Sequence, residues 1–156
     1  KLLTDAGWQR GIYGDFDHRR NAQFMRELES DFAESVLRLA AFGHNERSRT
    51  KYLENGSGIE TARQRLRALD PRPLIDCWAS LTAADYRDVL KTIAIPALLV
   101  YGGASNFYST GTAEYVRDSI PNALLQVYEG VDHAPHLWER ARFIQDVLDF
   151  IAQPPA

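Results

Sequence analysis

One histidine stands where an imidazole can do chemistry. His133 lies five residues beyond the apolar run Ala123–Tyr128, with Gly130 before it and Pro135 after it. A loop of that kind can hold the ring out toward a neighbouring strand end. With an ordinary pKa of about 6.5, an imidazole takes a proton from a nucleophile and returns it to a leaving group at neutral pH, as acyl transfer requires. The same spacing also suits an ordinary surface histidine, and the residues alone leave both readings open.

The neighbours of His133 narrow the chemistry. His133, His136 and Glu139 are spaced three apart, as metal ligands on a helix would be. Pro135 interrupts any continuous helix through both histidines, so no metal is expected. Asp132 is adjacent to His133, but adjacent side chains on a loop seldom face each other. Trp8, Phe107, Tyr108 and Trp138 fall near the expected mouth. They suit an apolar acyl pocket as well as ordinary core. His18 and His44 sit in helical segments and carry no signal. The single cysteine, Cys77, excludes an internal disulfide and gives no metal spacing. Beside Trp78 it reads as a small buried thiol.

The elements that must position these residues fall into two parts. Over 17–43 the residues Phe24, Leu28, Phe32, Val36 and Leu39 recur at helical spacing, with Asp17 as N-cap and Gly43 as stop. A second helix is expected over 46–54, ending at Asn55-Gly56. Ser57 and Glu60 have capping-box spacing for a third, which must end before Asp70-Pro71-Arg72-Pro73. A short helix through Leu74, Ile75, Trp78 and Leu81 follows. Thr82 with Asp85 would cap another to Leu90, so 17–90 reads as all helix.

The pattern changes at Ile95-Pro96-Ala97-Leu98-Leu99-Val100-Tyr101, a continuous apolar run ending in Gly102-Gly103. Such a run predicts a strand buried on both faces of a parallel sheet. A helix over 110–119, a strand over 123–128 and a closing helix through Leu137, Ile144, Val147, Leu148 and Ile151 complete a βαβα unit. Two strands cannot cover those helices, so the sheet is expected to continue into other polypeptide.

Composition excludes several function classes. The 156 residues are 45% apolar and 25% charged, with a net charge of -3, a globular composition with no field for a nucleic-acid backbone. The Arg-rich stretch over 63–72 reads as a solvated helix face. No apolar run approaches the roughly 20 residues that span a bilayer, so neither membrane insertion nor a signal peptide is expected. One cysteine fits a reducing, cytoplasmic setting. The chain opens on Lys1-Leu2-Leu3-Thr4-Asp5 without methionine, which suggests an excised or cleaved segment.

Gly130-Val131-Asp132-His133-Ala134-Pro135-His136-Leu137-Trp138-Glu139 resembles the segment around the catalytic histidine of α/β-hydrolases. The run from Ile95 to Gly103 is similar to the preceding strand of that fold, 17–90 to the cap that many members insert, and Asp5-Ala6-Gly7-Trp8 to the approach to such a cap. The resemblance implies the C-terminal portion of an α/β-hydrolase: 1–16 leading into the cap, 17–90 the helical cap, and 91–156 part of the hydrolase core. It implies His133 as catalytic histidine and an ester, thioester or similar acyl substrate of modest size, for which Trp8, Phe107, Tyr108 and Trp138 near the expected mouth are the candidate substrate-binding residues. No cofactor is implied.

Two departures from the family pattern stand out. No Gly-x-Ser-x-Gly occurs, and Gly56-Ser57-Gly58 lies between cap helices. The nucleophile is therefore expected on an N-terminal fragment or chain outside this sequence. Ser105 occupies the usual place of the triad aspartate, and a serine cannot supply the charge that stabilises imidazolium. The acid is then expected on the polypeptide before Lys1. The rival readings are a non-catalytic module that has lost the triad, and other chemistries of the fold such as epoxide hydrolysis or cofactor-free haloperoxidation.

Overall fold

Six helices precede the first strand in the computed structural model, which describes residues 1–152. They are α1 (His18–Ser30), α2 (Phe32–Gly43), α3 (Glu46–Glu54), α4 (Gly56–Arg67), α5 (Arg72–Ala83) and α6 (Arg87–Leu90). After them come β1 (Ala97–Gly102), α7 (Thr110–Ser119), β2 (Ala123–Tyr128), α8 (Pro135–Trp138) and α9 (Arg140–Ala152). The strands pair in parallel, from Ala97 opposite Ala123 to Gly102 opposite Tyr128. Buried Ala113 and Ile120 turn α7 and its end inward. No helix among the described residues is long and apolar enough to cross a membrane.

The expected helix over 17–43 is two helices. Asp31, at φ -148, caps both: its amide donates to Glu27 O at the end of α1, and its carboxylate accepts from Glu34 N at the start of α2. An aspartate competes with the helix for local hydrogen bonds, and here it breaks the helix. The expected Ser57 cap is also corrected. Asn55 takes that role, accepting from Gly58 N at 3.2 Å, and Ser57 lies inside α4. Thr82 lies inside α5, buried and bonded to Ala79 O, instead of opening the next helix. Cys77 is exposed, because Ile75, Trp78 and Thr82 form the inward stripe of α5 and residue 77 points away from it.

Strand β1 starts two residues later than the apolar run. Pro96 has no amide to donate, so the ladder begins at Ala97, whose amide donates to Asn122 O, and Ile95 is left 72% exposed. Burial on both faces is also not reached within the described residues: 97–101 are half-buried, and only Gly102 is buried. Along the same layer Leu124, Ile144, Leu148 and Ile151 keep 44–71% of their surface in water.

The core that joins the two parts is built on the N-terminal segment. Leu2, Leu3, Ile12 and Phe16 are buried together, with Phe24 of α1, Trp78 of α5, and Phe107 and Tyr108 of the β1–α7 loop packed against them. Ile12 N donates to Leu2 O and Thr4 N to Phe16 O, so the chain folds back on itself before entering α1. Removing a side chain such as Leu3 from this core costs about 2–5 kcal/mol.

Candidate active site

Strand β2 delivers the loop that carries His133, and two glycines shape it. Gly130 has φ +70, a left-handed turn that glycine adopts without strain. Gly102, at the end of β1, lies beneath the same loop: a Cβ there would stand 1.7 Å from Asp132 O. The loop therefore crosses directly over the end of the neighbouring strand, where functional groups of parallel sheets collect.

His133 there faces residues of the β1–α7 loop. Its Nδ1 is 3.4 Å from Ser105 Oγ, and its ring lies 4.7 Å from Phe107 and 5.8 Å from Tyr108. Ser105 Oγ accepts from Phe107 N and Tyr108 N, which fixes the loop that presents both aromatic rings. His133 keeps an exposed edge, yet packing against its neighbours desolvates the imidazole and lowers its pKa. Asp132 works the other way, and His136 adds to the lowering. The neutral ring, the form that acts as a base, is favoured.

Behind His133 stands a wall of aromatic rings. Tyr13 packs at 4.5 Å from Phe42 and 5.5 Å from Phe107, and burial raises its phenol pKa well above the ordinary value. Tyr13 adopts φ 60, uncommon for a residue with a Cβ, and donates its amide to Phe107 O at 2.7 Å. Burial likewise pushes Tyr108 up to about 12. Both phenols stay neutral, and Tyr108 is the one beside the imidazole.

A second cluster lies across the loop from His133, where the α2–α3 junction meets it. Asp132 is 2% exposed, accepting from Ser48 Oγ at 2.6 Å and from Ala134 N at 2.9 Å. His44 Nδ1 stands 3.4 Å from that carboxylate and 3.2 Å from Ser48 Oγ. Asn45 caps α3 through Ser48 N and donates from Nδ2 to Gly130 O at 3.2 Å. The three residue types match a catalytic triad, but the order does not. In a triad the imidazole stands between hydroxyl and acid, using both nitrogens. Here one nitrogen faces both partners and the hydroxyl is bonded straight to the acid, so this is a structural cluster.

The comparisons with known proteins bear on the fold. No family model matches. A pimeloyl-[acyl-carrier protein] methyl ester esterase of Aliivibrio fischeri is 25% identical over 142 residues, 85% of this chain and 51% of that protein. A bromoperoxidase from Bacillus anthracis superposes with a TM-score of 0.81 at 17% identity, over 97% of this chain and 54% of that one. An esterase from Exiguobacterium antarcticum does so with a TM-score of 0.76 at 16% identity, over 97% and 53%. This chain has the fold of the C-terminal half of an α/β-hydrolase. It spans about half the length of the curated relatives it matches.

Within this half of an α/β-hydrolase fold, two of the four aromatic residues singled out in the sequence come together beside His133: Phe107 and Tyr108. Trp8 lies elsewhere, stacked edge-on against Tyr115 of α7 at 4.8 Å with the Arg87 guanidinium over its ring. It shares with Tyr108, Tyr101 and Leu81 the lining of a cavity of about 300 Å³. Trp138 is on the far side of the histidine loop, beneath Lys51 and edge-on to His44, lining a cavity of about 80 Å³ with Ser48 and Asp132. Pro135 opens α8, so His133 and His136 share no helix, and His136 packs toward Phe143. Sequence reading missed His44 and Ser48. They pair with Asp132 across more than eighty residues of chain, and no local spacing announces such a contact.

Proposed function

We propose that His133 is the general base and then the general acid in hydrolysis of an ester, thioester or similar acyl substrate, with a serine nucleophile on polypeptide outside these residues. The observation that carries this reading is an imidazole kept in its neutral form over the end of β1, facing Ser105 and the Phe107 and Tyr108 rings. The names of the relatives, methyl ester esterases, support ester hydrolysis. The apolar side chains left open on β2 and α9 support further polypeptide against the sheet.

In this reading the imidazole takes the proton of the serine hydroxyl as it attacks the acyl carbon, then gives it to the departing alkoxide or thiolate. Helices α1–α6 form the cap over a small acyl substrate of substantial apolar character, with Phe107 and Tyr108 against it. The reaction calls for no metal or organic cofactor, and it suits a cytoplasmic protein. One observation favours a second reading, a binding module that has lost its triad: a hydroxyl, Ser105, instead of a carboxylate faces Nδ1 of His133.

Fluorophosphonate labelling of the full-length protein separates the two. A labelled serine outside these 156 residues, with labelling abolished in His133→Ala, is the expected result. A label on a serine within them overturns the external nucleophile. No labelling at all favours the binding module.

A further inference from the structure

Asp132 is a buried carboxylate that the proposed reaction does not use. Taking such a group out of water is costly unless every lone pair finds a donor, so its partners are not incidental. One oxygen accepts from Ala134 N within the histidine loop, and the other from Ser48 Oγ of α3 while facing His44 Nδ1. Asp132 therefore bonds both to the chain just past His133 and to the helical part of the molecule. Its own carbonyl passes over Gly102, so the backbone before His133 is pressed against the end of β1. Asn45 adds a third tie, to Gly130 O, and Asn106 Nδ2 donates to the carbonyls of Phe42 and His44. His44 is itself held against Tyr52, with ring centroids 4.4 Å apart.

We propose that Asp132 is the positioning residue for His133, latching the histidine loop to the α2–α3 junction through Ser48 and His44. The idea rests on the reading of His133 as the proton-transfer group and goes beyond it, because it joins cap and catalytic loop in one mechanical unit. A ring that must meet a nucleophile from another part of the fold has to be held to a fraction of an ångström. β2 and the bond from Ala104 N to Val131 O hold the loop from the sheet side, and Asp132 adds the hold from the helical side. With the latch closed, Asp132 and Gly130 are fixed from both sides and the ring between them inherits that order. The latch also makes the seating of the α2–α3 junction a condition for an aligned base.

The test uses the full-length protein with Ser48→Ala, Asp132→Asn and the double variant, read by amide hydrogen exchange and by hydrolysis of a p-nitrophenyl ester. Each single variant is expected to speed exchange about tenfold or more in both 44–50 and 130–134, and the double variant no more than the larger single effect. Turnover should fall about tenfold with KM within about twofold, the split expected of a misaligned base. Unchanged exchange in 130–134 for Ser48→Ala, or effects that multiply in the double variant, overturns the latch. Faster exchange with turnover intact, in a protein where His133→Ala abolishes turnover, overturns the positioning role. If His133→Ala itself leaves turnover unchanged, the hydrolase reading fails while the exchange data still decide the latch. Should Asp132→Asn not fold, Ser48→Ala and His44→Gln carry the same comparison.

Discussion

The two histidines on either side of the 130–134 loop have traded partners relative to what their surroundings suggest. His133, in the setting suited to catalysis, has a hydroxyl at Nδ1 and an exposed edge. His44, in a segment with no catalytic signature, stands beside a buried carboxylate and a buried serine. The difference separates two uses of the same side chains. In the proposed reading His133 is a base, which must keep a nitrogen open to a substrate. A strut needs its buried charge bonded from several sides, as the Asp132 carboxylate is by Ser48 and Ala134.

The largest effect should come from breaking the open site. His133→Ala is expected to lower kcat/KM for an activated ester by about a thousandfold or more, while Tm stays within about 2 °C, because an exposed loop side chain contributes little to stability. His136→Ala should fall short of this by orders of magnitude. Parallel kinetics and thermal unfolding of the two variants check both statements.

The closed site should show the opposite pattern. Asp132→Ala leaves Ser48, Ala134 N and His44 without their common acceptor, and unpaired buried polar groups cost about 1–3 kcal/mol each. A loss of about 2–4 kcal/mol in urea unfolding is expected. If His133→Ala proves the more destabilising of the two, the assignment of open and closed sites is reversed.

The contrast also explains what the sequence made legible. The α7 and β2 bounds follow from apolar runs and turn residues that act locally, and the structure places both where the sequence predicts them. That His133 sits on a loop at the strand end was legible because Gly130 and Pro135 mark that loop within a few residues. Asp31 was missed as a helix break because the apolar stripe runs unbroken across it, and only its carboxylate reveals the double cap. Asp132 drew attention only as the neighbour of His133. Its actual partners lie in α3 and at the end of α2, a pairing that depends on how the helical part docks on the loop.

Smaller shifts should appear in the pH profile. Desolvation lowers the His133 pKa, so the acid limb of kcat/KM should have its midpoint below about 6.5. The linkage has the same sign: the unfolded imidazole binds its proton first as pH falls, so stability drops between about 6.5 and the folded value. Asp132 opposes the lowering and His136 reinforces it. Asp132→Asn should therefore move the limb further into acid, and His136→Ala should move it back up, each by less than about one unit. Shifts in the same direction from both variants would show that the loop reorganises instead of retuning its field.

The smallest effect is expected at Ser105, although it is the group nearest to Nδ1 of His133. Its hydroxyl lies 3.4 Å away, long for a hydrogen bond to a ring nitrogen, and it already accepts two backbone amides of its own loop. A hydroxyl carries no charge to stabilise imidazolium, so it cannot replace a triad acid, and its main work is to hold the turn that presents Phe107 and Tyr108. Ser105→Ala should therefore lower kcat by less than about tenfold, with the larger part of any loss in kcat/KM coming from a raised KM as those two rings loosen. The carboxylate that stabilises the imidazolium would then come from polypeptide outside this chain, and its removal should cost several orders of magnitude. A hundredfold or greater fall in kcat for Ser105→Ala would instead make the hydroxyl the sole orienting group at Nδ1. The external carboxylate would then have no role left to play.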